Sequence, residues 1–126
     1  MSMPTDRKYA ETHEWYQVDG KVVTIGITQY AADELTDITY IELPDAGTEI
    51  EAGGMAGEIE SVKATSELVC VVAGRVNAVN EGLADKPELV NEDAFGAGWM
   101  LKLEVSDLSP LEGLMDAEAY GASTAG

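Results

Sequence analysis

Positive charge is what this chain has least of. Lys and Arg together number 7 against 24 Asp and Glu in 126 residues, a formal net charge of −17. So acidic a surface repels phosphate backbones and anionic lipid, which argues against nucleic-acid and membrane partners. It suits partners with basic docking faces, or serves solubility in a saline cytoplasm. Cysteine is nearly absent too. The single Cys70 excludes an internal disulfide and, within the apolar run "LVCVV", reads as a buried thiol. One histidine, His13, cannot build a zinc site with one cysteine and no ligand spacing. The acidic "NED" lacks the spacing of a calcium loop, and "FGAGW" falls far short of a phosphate-binding fingerprint. Ser61 and Ser66 have no G-x-S-x-G setting, and the histidine is distant from them. The residues therefore mark no catalytic group and no metal ligand. No apolar run is long enough to cross a bilayer. The start "MSMPTDRKYAETHEW" has neither a signal-peptide core nor transit-peptide character, so a cytoplasmic location is expected.

What is present is a chain that can build a core. Hydrophobic residues make up 45%, and the length suits one domain, expected over residues 1–120 with 121–126 as a frayed tail. "EWYQVDGKVVTIGIT" reads as a hairpin of two β-rich runs around Asp19-Gly20, a pair that tolerates a tight turn. In "TQYAADEL", Thr28 is placed to cap a short amphipathic helix ending near Leu35. "ITYIEL" is a strand stopped by Pro44 and the turn residues "PDAG". Residues 55–61 and 67–72 are two further strands, and "AGRVNAVN" another. "GLADKPELVNEDAFGAG" reads as a loop region with one helical turn, and "WMLKLEV" as the last strand. In "SPLEGLMDAEAY", Ser109 as cap, Pro110 at the first helical position and Glu112 as capping-box partner predict a C-terminal helix. A faint echo between "DAGTEI" and "VAGRVN" suggests a two-fold arrangement of strand pairs. Many short strands with turns between them imply an all-β sandwich or barrel with accessory helices.

One of the scarce cations stands in "GEIESVKATSELVCVV", where two strands meet and only a few residues join them. Lys63 belongs at or beside a hairpin tip, with its side chain in water. By spacing alone this is an ordinary solvated lysine. A flexible amine on a rigid turn is also what a swinging prosthetic arm requires, since the four-carbon stem adds reach.

"ESVKA" resembles the lipoyl-attachment motif of the glycine cleavage H-protein family, with Lys63 at the modified position. "THEW", "GITQYAADEL", "IELPDAG", "VNEGLADKPELVNEDAFGAGWMLKL" and "LMDAEAY" resemble segments of the same family in the same order, over roughly residues 8–120. Biotin carriers usually flank their lysine with methionines, where this chain has Val62 and Ala64. Lipoyl domains of 2-oxoacid dehydrogenases typically place an aspartate at the position of Val62. The chain departs from the family pattern at Thr36, where a glycine is frequent. It departs again at Cys70 and Val71, where a small residue and a proline often stand, and "GGMAGEI" is a loose match.

The resemblance implies a mainly β fold, a barrel-sandwich hybrid with a short helix after the first hairpin and a C-terminal helix. It implies a non-catalytic carrier, expected to be a monomer, bearing lipoate in amide linkage to Lys63. The carrier would take the aminomethyl group of glycine from the glycine decarboxylase (P protein) to the tetrahydrofolate-dependent aminomethyltransferase (T protein). Dihydrolipoyl dehydrogenase (L protein) would reoxidise it, and a lipoyl-attaching enzyme would load it. The family's arm is thought to rest in a surface cleft. Glu14 and Glu67 are candidate acceptors there for the loaded amine, and Ile27, Ala31 and Leu35 candidate floor residues. The alternative for both glutamates is a solvated surface. A relay protein donating lipoyl groups to other carriers, or an unmodified acidic binding module, are the rival functions; the intact "ESVKA" argues against the second.

Overall fold

The computed structural model describes residues 4–124. After a two-residue strand β1 (Lys8–Tyr9), the first hairpin is β2 (Glu14–Asp19) and β3 (Val22–Ile27). Asp19 pairs with Val22, so the two turn residues are Gly20-Lys21, one position later than the sequence suggests. Only Gly20 has a positive φ there, 64°, which fits a turn with glycine first. Thr28 ends β3 and caps α1 (Gln29–Leu35), its hydroxyl accepting from the Ala31 N–H at 3.2 Å. Then come β4 (Ile38–Glu42), β5 (Glu49–Ile50), β6 (Gly54–Ser61), β7 (Thr65–Cys70) and β8 (Gly74–Val79). Two short helices, α2 (Gly82–Asp85) and α3 (Leu89–Glu92), occupy the expected loop region before β9 (Leu101–Glu104).

The strands form two antiparallel sheets, ordered β1-β2-β3-β9-β8-β5 and β4-β6-β7. The main core lies where their inner faces meet, with Tyr16, Ile25, Ile41, Ile59, Leu68, Leu101 and Leu103 buried. This is the expected barrel-sandwich hybrid, with the short helix α1 after the first hairpin and further short helices beyond those expected. The echoing segments pair with each other: Glu49 faces Arg75 and Ile50 faces Gly74. On the other side of β2 a second cluster gathers Tyr9, Trp15 and Tyr120. Trp15 lies flat over Gly26, its cross-strand partner, where a Cβ would come within 2.7 Å of the ring.

The C-terminal segment corrects the sequence reading. Ser109–Gly113 is a 3-10 turn whose cap position is Leu108, with no side-chain cap. The α-helix α4 spans Ala117–Thr124. Met115 exchanges backbone hydrogen bonds with Tyr9, at 2.8 and 3.0 Å, and this extended pairing breaks the expected helix in two. Asp116 takes over the capping, accepting from the Ala119 N–H at 2.8 Å. Residues 121–124, expected as part of a tail, belong to α4, and 125–126 lie outside the described residues.

Candidate functional site

Lys63 sits in the turn 62–64 between β6 and β7 and is exposed. The turn is closed by its own polar groups: Ser61 Oγ accepts from the backbone N–H of Lys63 (3.1 Å) and of Ala64 (3.0 Å). It is also fastened from outside, because the Val62 N–H donates to Asp37 O, just before β4, at 3.0 Å. The Lys63 ammonium reaches Glu34 O near the end of α1, at 3.3 Å. That carbonyl belongs to the negative end of a helix, which suits a cation, and among the described residues no carboxylate lies within ion-pair distance of the amine.

Glu14 is placed quite differently. It opens β2 directly opposite Ile27 and is only 2% exposed. Among the described residues no cation lies within ion-pair distance of it. Desolvation pushes its carboxyl up to about 7 from an ordinary 4.5, and the Thr12 hydroxyl and the Val69 N–H offset only part of this by hydrogen bonding. An unpaired carboxylate held in such a place costs stability. It is a ready acceptor for a cation brought from outside.

The strand Glu14 faces is β7, which has β6 on one side and, among the described residues, no strand on the other. Tyr16 and Glu14 cover that free edge at Val69 and Val71. The Tyr16 hydroxyl donates to Val69 O and accepts from the Val71 N–H, both at 3.1 Å. Glu67 is two residues before Val69 on the same strand, exposed, with Glu58 as its cross-strand partner.

The structure places the remaining expected residues as follows. Ile27 is buried at the end of β3, and Ala31 and Leu35, one helical turn apart on α1, are half-buried against the core. Glu14, Ile27, α1 and the Lys63 turn thus share one end of the barrel. Glu67 has no hydrogen bond drawing it toward Glu14. An open groove of about 1030 Å³, lined by Lys21, Ile50, Met55, Arg75 and Glu104 among others, lies toward the opposite end and is remote from this arrangement.

Other side chains join the segments around Glu14. His13, immediately before Glu14, has a φ of 76°. Its Nδ1 is 2.6 Å from the Tyr120 hydroxyl, which is 2.7 Å from Thr28 Oγ1. Burial lowers the His13 pKa, which favours the neutral ring. Val69 was silent in the sequence, since it acts through its backbone alone.

Comparisons with known proteins identify the family. The family model described as "Glycine cleavage H-protein" matches residues 7–125. Glycine cleavage system H proteins of Bacillus cereus (strain AH820) and Bacillus anthracis (strain A0248) are each 50% identical over 124 residues, covering 98% of both chains. A crystal structure of a glycine cleavage system H protein from Mycobacterium marinum superposes with a TM-score of 0.89 at 31% identity, covering 98% of this chain and 99% of that one. With its overall fold and nearly its whole length matched by these relatives, this chain belongs to the glycine cleavage H-protein family, the lipoyl carriers of that system.

Proposed function

We propose that Lys63 is the point at which lipoate is joined to this chain, as an amide of its side-chain nitrogen. The observation that carries this reading is an exposed lysine on a hydrogen-bonded turn between two long strands, in a chain of this family. When bound, lipoate supplies a disulfide that the P protein loads with the aminomethyl group of glycine, the T protein unloads to tetrahydrofolate, and the L protein restores. The chain's own part is to present, shelter and release. It performs no catalytic step. Its net charge of −17 favours encounter with basic faces on those partners and on the attaching enzyme.

Glu14 suits the loaded state, in which the arm carries an amine that is cationic at neutral pH. Its buried carboxyl lies at the end of the barrel where the Lys63 stem begins, with Ile27, Ala31 and Leu35 offering apolar surface for the arm. Glu67, on the exposed side of β7, serves as an outer and weaker acceptor.

Mass spectrometry of protein purified from its native host tests the attachment. A lipoyl adduct is expected on the peptide containing "SVKAT" and none on Lys21 or Lys86. Lys63→Arg should abolish both the adduct and the decarboxylase-dependent exchange of labelled bicarbonate into glycine. A lipoylated chain inert in that exchange, yet able to donate lipoyl to another carrier, would make it a relay instead.

A further inference from the structure

Asn91 lies on α3 and touches none of the groups assigned so far. Its side-chain amide nevertheless makes three hydrogen bonds to the backbone between residues 32 and 38. Oδ1 accepts from the Ile38 N–H at 2.9 Å, and Nδ2 donates to Ala32 O at 3.2 Å and to Thr36 O at 2.6 Å. The residue's own carbonyl accepts from Gln29 Nε2 at 2.7 Å. One short side chain therefore holds the whole connection from α1 to β4.

That connection is also what holds the lysine turn. Asp37 stands between two gripped residues, and its carbonyl accepts the Val62 N–H at 3.0 Å. Ile38 pairs with Ser61, and Glu34 O receives the Lys63 ammonium. Thr36 adopts φ 61°, ψ −142°, a region that a β-branched residue enters only when its surroundings over-determine it. Two carbonyls needing donors and one N–H needing an acceptor require an amide on a short stem. A carboxylate would turn lone pairs on both carbonyls, and a hydrocarbon would satisfy none of the three.

We propose that Asn91 is a positioning residue for the attachment site: through Thr36, Asp37 and Ile38 it fixes where Lys63 stands against α1. The inference rests on Lys63 being the attachment point. Without the grip, the connection relaxes from the strained Thr36 geometry and the Val62 N–H loses its acceptor. The turn then samples other arrangements. An attaching enzyme that binds only the ordered turn meets a smaller competent fraction, so its KM for this protein rises while kcat stays the same.

The test uses the unmodified full chain with a lipoate ligase, ATP and lipoate, comparing wild type with Asn91→Asp, Asn91→Ser and Gln29→Leu. Both Asn91 variants should raise KM about three- to ten-fold with kcat unchanged. Amide hydrogen exchange should accelerate at Val62 and Lys63 and stay constant at Tyr16 and Leu103. Should Asn91→Asp fail to fold, Asn91→Ser carries the comparison. Gln29→Leu breaks the other link between α1 and α3 but leaves the amide grip, and should keep the wild-type KM. An unchanged KM in both Asn91 variants, a matching rise in Gln29→Leu, or uniformly faster exchange would each overturn the proposal. Wild type left unmodified at Lys63 would instead defeat the attachment reading, and the exchange data would still decide whether Asn91 orders the turn.

Discussion

His13 Nδ1 lies 2.6 Å from the Tyr120 hydroxyl, so the residue that sets the start of β2 is tied to the last helix of the chain. The same hydroxyl is 2.7 Å from Thr28 Oγ1, the cap of α1. One phenol thereby joins three segments that meet around Glu14. Tyr120→Phe keeps the ring stacked on Tyr9 and removes only the hydroxyl. Depriving the half-buried His13 ring and the buried Thr28 hydroxyl of this shared partner should cost about 1 kcal/mol in urea unfolding. Faster hydrogen exchange is expected in α4, and an unchanged unfolding midpoint would dismiss the tie.

Glu14 makes stability depend on pH in a particular direction. Its carboxyl is pushed up to about 7 in the folded chain from an ordinary 4.5. Between those values the folded state holds a proton that the unfolded state has released. Its contribution is therefore complete below about pH 4.5 and is lost as pH rises to about 7, a cost of about 3 kcal/mol above that. Glu14→Gln should thus be more stable than wild type at pH 8, by about 1–3 kcal/mol, with the difference closing near pH 4. A constant difference across that range would show that the carboxyl is not held protonated by burial.

The two candidate acceptors should differ in what they do for the loaded arm. Glu14 is 2% exposed while Glu67 faces water, and exposed ion pairs contribute at most about 1 kcal/mol. In isolated protein carrying the aminomethyl group, Glu14→Gln should accelerate its hydrolytic loss about ten-fold or more, whereas Glu67→Gln should change it by no more than about five-fold. Equal rates in all three proteins would return both glutamates to a structural or surface role.

Thr36 provides a test of stored strain. At φ 61° and ψ −142° it occupies a conformation natural to glycine, at a position where this family frequently has one. Relief of about 1–3 kcal/mol of backbone strain should exceed the roughly 0.5–1 kcal/mol that glycine loses by its greater freedom unfolded. Thr36→Gly should therefore raise stability by about 1 kcal/mol. A lower melting temperature would mean that the Thr36 hydroxyl, which donates to Leu35 O at 2.5 Å, matters more than the strain.

The features legible in the sequence were those whose causes are local. Thr28 caps α1 because a hydroxyl three residues ahead of a free N–H is all that is needed, and Gly20 turns the hairpin because it tolerates a positive φ. The Lys63 turn was legible for the same reason, with two apolar strands and only a few residues between them. What escaped was held from afar. The short α2 and α3 are below the length at which a helix supports itself, and α3 is fixed by Gln29 and Asn91 meeting across some sixty residues. The split of the C-terminal helix depends on Tyr9 pairing with Met115, which no local pattern announces. Glu14 was named through family resemblance. Its burial and its dependence on Thr12 and Val69 could not be read from a chain carrying 24 acids.

The free edge of β7 is closed by side chains and not by a neighbouring strand. An open strand edge is a template on which another polypeptide can add itself, and natural sheets take pains to deny it. Here the Tyr16 hydroxyl and the Glu14 carboxylate, both sent across from the other sheet, occupy the backbone groups that a foreign strand would use. In the proposed function Glu14 would thus serve twice, as acceptor for the loaded arm and, beside Tyr16, as a guard against unwanted polymerisation. Truncating either side chain would expose backbone hydrogen-bonding groups at Val69 and Val71, and solubility at high concentration becomes the property most at risk.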